Sequence, residues 1–253
     1  MASRLQLFLF ALLVLTTGII IGLLVYPHFE GGQPAAGQPE QKAPLSQGTY
    51  SAKANILAVS SGGTGVMSQA EVEIIDGKGR VLFSVNPFVE PDTQYSAETA
   101  RKVAEDFTGK SLENRDVIYT ITAGESKLVG GPSAGAALTL ATIAAIEKKP
   151  IREDFAMTGT IQENGAIGQI GGVIEKGTAA AQNGIKLFLV PEGQSKGIVY
   201  ERKTAEKKGR GFVLQRVYYE PVEFDLNKAL FEEYGMEVIE VGTIKEAAQY
   251  AFK

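Results

Sequence analysis

The sequence predicts a mixed α/β domain, of the α+β kind, preceded by one transmembrane helix. Three observations lead there. An uncharged apolar run extends from Leu5 to Tyr26, strand-like segments separated by turn residues fill Ala54 to Thr122, and apolar residues at helical spacing mark several segments in between and beyond. Strands and helices mix without regular alternation, which favours mixed α/β over a repeating βαβ unit. No internal repeat is visible.

The run from Leu5 to Tyr26 is interrupted only by Gln6, Thr16 and Thr17 among non-glycine polar residues. As a helix it is long enough for a hydrocarbon core of roughly 30 Å. A signal peptide has a shorter apolar stretch followed by a small-residue cleavage site, whereas Tyr26-Pro27-His28-Phe29 resembles an interfacial anchor. Arg4 precedes the run, and the next positive residue is Lys42, so the positive-inside rule places the domain on the extracytoplasmic side. Residues 1–30 are read as a membrane anchor. Residues 31–50, rich in Gly, Pro, Gln and Ala between Gly31 and Gln47, form a flexible linker, and residues 51–253 form one domain.

Within that domain, Ala54–Val59 and Ala70–Ile75 have strand character. Asp76-Gly77-Lys78-Gly79 is a turn, from which Arg80–Val85 is expected to return as a second hairpin arm. Ala97, Ala100, Val103, Ala104 and Phe107 share a helical face over 96–107, and Val117–Thr122 is a strand. Gly130-Gly131-Pro132-Ser133-Ala134-Gly135 opens a helix to Ile146, with Pro132 at its first position and Lys148-Lys149-Pro150 as its stop. Phe155–Ile161 is a strand, Asn164-Gly165 a hairpin turn and Ile167–Ile170 its return. Val173–Gln182 is a helix closed by Asn183-Gly184, and Lys186–Val190 is a buried strand. Residues 194–234 lack a clear period and are set apart as an insertion. Met236–Val241 is the last strand, and Thr243-Ile244-Lys245-Glu246 is a capping box for a terminal helix.

Composition narrows the chemistry. The chain has 253 residues, is 44% hydrophobic and carries a net charge of -4, with no basic footprint for nucleic acid. Its one Lys/Arg-rich stretch, Arg202 to Arg210, is interrupted by Glu206 and reads as a solvated loop. There is no Cys, which removes disulfides, Cys–zinc sites and thiol nucleophiles. The single His, His28, lies beside the N-terminal apolar run, so the domain has no imidazole for a Ser-His-Asp triad or a multi-histidine metal site. For covalent catalysis, Ser or Thr with a Lys base is nearly all that remains. No cofactor or metal is expected.

The Gly-Gly turn at 130–131 leaves amides open at a helix start, where an oxyanion or anion is stabilised. Read alone, it admits three roles for Ser133: helix cap, phosphate contact or nucleophile. Lys176 shares a helix face with Val173 and Ala180, with Gly177 permitting close packing. On such a face a Lys either snorkels to water or is desolvated, and desolvation lowers its pKa toward the range of a general base. Thr158 is placed to hydrogen-bond that amine or is simply a β-favoured residue.

Taken together, these segments resemble the proteolytic domain of the Lon protease family. The similarity runs from about Asp116 to Glu192: GGPSAG at 130–135 looks like the nucleophile motif, FAMTGT at 155–160 like the following strand, and GAIGQIGGVIEKGTAAAQNGIKLFLVPE at 165–192 like the Lys-bearing segment. The resemblance implies a compact α/β fold and a Ser133–Lys176 dyad supported by Thr158, with the amides of Gly131, Ser133 and Ala134 receiving the oxyanion. It further implies polypeptide substrates and a homo-oligomeric ring. Gly130 stands where many relatives carry an acid, and Thr160 where many carry Glu. No G-x-x-x-x-G-K-[ST] occurs, since Gly109-Lys110-Ser111 has Ala104 where the first Gly would stand, so ATP-independent hydrolysis is expected. The competing expectations are a catalytically silent, membrane-anchored interaction module and a phosphate-binding protein.

Overall fold

The computed structural model describes Thr16 and residues 42–85, 88–122, 130–209 and 212–252. In chain order the elements are β1 (Ala43–Pro44), β2 (Tyr50–Val59), β3 (Gly65–Asp76), β4 (Val81–Val85), α1 (Pro91–Thr108), β5 (Lys110–Ser111) and β6 (Arg115–Ile121). A 3-10 turn (Pro132–Ala134) leads into α2 (Gly135–Glu147), followed by β7 (Phe155–Met157), β8 (Thr160–Ile161), β9 (Ile167–Gly168) and α3 (Val173–Gln182). Then come β10 (Leu187–Pro191), β11 (Lys196–Gly209), β12 (Phe212–Asp225), α4 (Leu226–Tyr234), β13 (Glu237–Val241) and α5 (Ile244–Ala251). This is the mixed α/β class that the sequence predicts. The expected membrane segment at Leu5–Tyr26 lies outside the described residues apart from Thr16, which is helical. Among the described residues, no helix is long and apolar enough to cross a membrane.

A four-stranded sheet runs in the order β2-β3-β6-β4. In β3, Ala70, Val72 and Ile74 are buried while Glu71 and Glu73 turn outward, the alternation of a strand with one core face. The expected hairpin between β3 and β4 does not form. β6 inserts between them, antiparallel to β3 and parallel to β4. Asp116 supplies the reason. Its carboxylate accepts from the amides of Lys78 and Arg80 and from the Arg80 guanidinium, and Gly77 N donates to Asn114 O, so the turn wraps around the start of β6. The Arg80 side-chain bond and those amides hold the Asp116 carboxyl well below the usual carboxylate range.

A parallel three-stranded sheet, β13-β10-β7, is covered on both faces. Phe155, Met157, Leu187, Leu189 and Val241 point into one core with the four-stranded sheet, α1, α2 and α5. Ala156, Phe188, Val190 and Val238 point into a second core with α3 and α4. α2 is buried from Gly135 to Ile146, which accounts for its all-round apolar sequence.

Three further boundaries depart from expectation. The domain begins before residue 51, because β1 pairs with β5 and Tyr50 is buried. The strand expected over Phe155–Ile161 breaks at Thr158-Gly159 into β7 and β8, which belong to different sheets. Residues 194–234 are not one insertion: β11 and β12 form a long ribbon, but α4 buries Leu226 and Leu230 in the second core. Phe188 is fully enclosed at the junction of that core with β10. Phe188→Ala is expected to destabilise the domain by about 3–5 kcal/mol, read as a lower urea midpoint with an unchanged slope.

Candidate functional site

The break after β7 builds the site. Thr158 N still donates to Leu189 O, continuing the parallel sheet, but Gly159 N donates to Ser133 O at 2.9 Å and Ala136 N donates back to Gly159 O at 3.0 Å. These bonds fasten the 3-10 turn and the start of α2 to the end of the strand. Gly131 enters that turn at φ 91, a conformation open to glycine and strained for other residues.

α3 approaches from the other side. Gly172 caps its start at φ 69, and Lys176 N donates to Gly172 O. Gly65 of β3 lets the helix approach closely, since a Cβ there would strike the Glu175 carbonyl. Lys176 is therefore carried into the interior, where it is 3% exposed. Its Nζ lies 2.8 Å from Ser133 Oγ and 3.4 Å from Thr158 Oγ1. The Thr158 hydroxyl donates to Ser133 O, so its lone pairs are what it offers to Nζ. Burial pushes the Lys176 pKa from 10.5 down to about 8. Ser133, Lys176 and Thr158, distant in sequence, are thus brought within hydrogen-bonding reach.

A groove of about 560 Å³ opens over Ser133 and Lys176, walled by Val59, Gly131, Ile170 and Gly172 among others. Gln194 ties down one wall: its side chain accepts from Ile170 N and donates to Ile170 O. A larger hollow at the base of the β11–β12 ribbon is lined by Lys196, Asp225 and Lys228 and contains no nucleophile. Among the described residues, no group of three or more His, Cys, Asp or Glu side chains is arranged to hold a metal ion.

One expectation needs correction. Gly131 N is not open to an oxyanion, because it donates to Glu90 Oε2 at 3.1 Å. The Glu90 carboxyl fills the space that a side chain at Gly130 would enter, so an acid reaches this turn from the start of α1. Thr93 Oγ1 donates to Gly131 O, and Ser96 Oγ approaches Pro132 O at 3.4 Å. Glu90, Thr93 and Ser96 escaped the sequence reading because the helix was started at Ser96. Pro91, in a preferred first helical position, was the signal that places its start earlier.

Burial of Lys176 also sets a stability test. Its folded pKa is depressed, so charged Lys176 opposes folding fully below pH 8, and the penalty fades as pH rises from about 8 to 10.5. Lys176→Met is expected to be more stable than the natural chain at pH 7, by an amount on the order of a few kcal/mol. The difference should shrink toward pH 10, as followed by thermal melts across that range.

Known proteins share this architecture in sequence. Residues 48–207 match the Lon protease (S16) C-terminal proteolytic domain. The Lon protease of Elusimicrobium minutum is 32% identical over 145 residues, covering 56% of this chain and 17% of the relative. Lon protease 1 of Myxococcus xanthus is 33% identical over 138 residues, covering 53% and 17%, respectively. The archaeal Lon protease of Halobacterium salinarum is 28% identical over 159 residues, covering 61% and 22%. The chain thus spans about a fifth or less of the length of these relatives. With the match extending over more than half of its own residues, it belongs to the family of Lon protease (S16) C-terminal proteolytic domains.

Proposed function

We propose that the chain is an ATP-independent serine endopeptidase that hydrolyses peptide bonds in unfolded or flexible polypeptides. The observation that carries this reading is the 2.8 Å approach of a desolvated Lys176 amine to Ser133 Oγ at the floor of an open groove. Neutral Lys176 takes the Ser133 proton as Oγ attacks the scissile carbonyl carbon. Thr158 accepts one N–H of the amine, which turns its lone pair toward Oγ. The amides of Ser133 and Ala134 receive the developing oxyanion, joined by Gly131 when Glu90 releases it. The lysine ammonium then protonates the departing amine, leaving an acyl ester on Ser133. Water attacks that ester as Lys176 takes its proton, and Lys176 then returns that proton to the departing Ser133 Oγ, releasing the acid product and restoring the free serine.

The ATP-independent part of the proposal is supported by these 253 residues themselves, which carry no G-x-x-x-x-G-K-[ST] sequence. Without a coupled unfolding step, substrates must arrive already extended. Anchoring through Leu5–Tyr26, an extracytoplasmic domain and a homo-oligomeric ring belong to the same proposal.

A second reading, a catalytically silent interaction module, is favoured by the Glu90 carboxylate resting on the Gly131 amide. Cleavage of an unstructured protein separates the two. The active reading expects a rate that rises about tenfold per pH unit and levels off above a pH of about 8, as Lys176 loses its proton. Ser133→Ala should abolish cleavage with an unchanged circular dichroism spectrum. Cleavage by that variant at the natural rate would overturn the assignment.

A further inference from the structure

The basic stretch from Arg202 to Lys208 lies in the outer part of the ribbon formed by β11 and β12. We propose that this ribbon lays one face on an anionic lipid membrane surface. Register defines the faces. Tyr200 stands opposite Pro221, Arg202 opposite Tyr219, and Thr204 opposite Val217, all on the side shared with Ile198 and Val213. On that side Ile198 is 58% exposed, Tyr200 69%, Tyr219 63%, Val217 44% and Val213 56%. Over the same stretch the other side pairs Glu201 with Glu220, Lys203 with Tyr218 and Ala205 with Arg216, four of them charged.

Among the described residues, nothing covers this row. From Glu201 to Glu206 every side chain except Lys203 is exposed, and from Gln215 to Pro221 all are. A two-stranded ribbon is marginal on its own in water, and a row of exposed apolar side chains along it calls for a cover.

Charge identifies the cover. Between Glu201 and Glu220 the sequence carries six basic residues, Arg202, Lys203, Lys207, Lys208, Arg210 and Arg216, against three acids, Glu201, Glu206 and Glu220, in a chain whose net charge is -4. A second copy would bring the same positive ribbon and repel it, and a generic unfolded polypeptide offers no fixed negative charge. An anionic bilayer supplies both complements: tyrosine rings settle at headgroup depth, basic side chains keep their ends at the phosphates, and the surface potential attracts them. The proposal is independent of whether Leu5–Tyr26 spans the membrane.

The absence of cysteine makes the test clean. Thr204→Cys and Ala205→Cys each carry one polarity-sensitive fluorophore, on opposite faces. The full-length protein is studied with vesicles of phosphatidylcholine alone or mixed with phosphatidylglycerol. The expected result is a blue shift, with quenching by lipid-borne nitroxide, at position 204 only and with phosphatidylglycerol only. Arg202→Gln, Lys203→Gln and Arg216→Gln together should weaken the docking about a hundredfold, at roughly fivefold per basic residue, and erase the shift. An unshifted label at 204, or equal shifts at both positions, overturns the proposal. So does a shift without lipid that grows with protein concentration, which marks a second copy, or one that needs an added unfolded polypeptide. Flotation with phosphatidylcholine vesicles reports the N-terminal segment separately, so either idea can fail alone.

Discussion

The site depends on a backbone exchange at the end of a buried strand. β7 leaves the parallel sheet at Thr158, and the next residue, Gly159, donates to Ser133 O and accepts from Ala136 N. Those bonds tie a serine-bearing turn to the most enclosed part of the molecule, where both faces of the sheet are packed. The position of Ser133 is therefore set by the core itself. Thr158, at the point of departure, has its hydroxyl between Ser133 O and the Lys176 amine, so the same residue links the sheet, the turn and the helix.

Lys176 is the less comfortable partner. A lysine that is 3% exposed is stable there only if its charge is relinquished or compensated, and burial is the one cause that depresses its pKa. Its placement on a helix drawn close by Gly65 and Gly177 is thus a standing strain on stability. A structural lysine gains nothing from that arrangement. A general base gains an amine whose neutral form is far more accessible near physiological pH than that of a solvated lysine.

Much of this was legible in the chain. The bounds of α3, Val173–Gln182, coincide with the helix read from periodicity and its Asn183-Gly184 stop, and Ser133, Lys176 and Thr158 do meet. The misreadings share one physical origin, contacts made far away in sequence. Phe155–Ile161 looks like one strand because its apolar run does not reveal that Gly159 bonds Ser133. Arg80–Val85 looks like a hairpin arm because the turn before it is organised by Asp116. Glu90 was invisible for the same reason, as its partner Gly131 lies 41 residues away. The β11–β12 ribbon hid differently. With both faces of its outer part almost wholly exposed, burial imposes no period there, and only the register separates its apolar row from its charged one.

The central claim is that Lys176 activates Ser133. It is tested most directly by treating the full-length protein with a phosphonylating serine probe at pH 8 and measuring the intact mass, followed by mapping of the modified peptide. The account predicts a single adduct on Ser133 that disappears in Lys176→Ala. An adduct on Ser133 formed equally fast without the lysine, or one located on another serine, would contradict it.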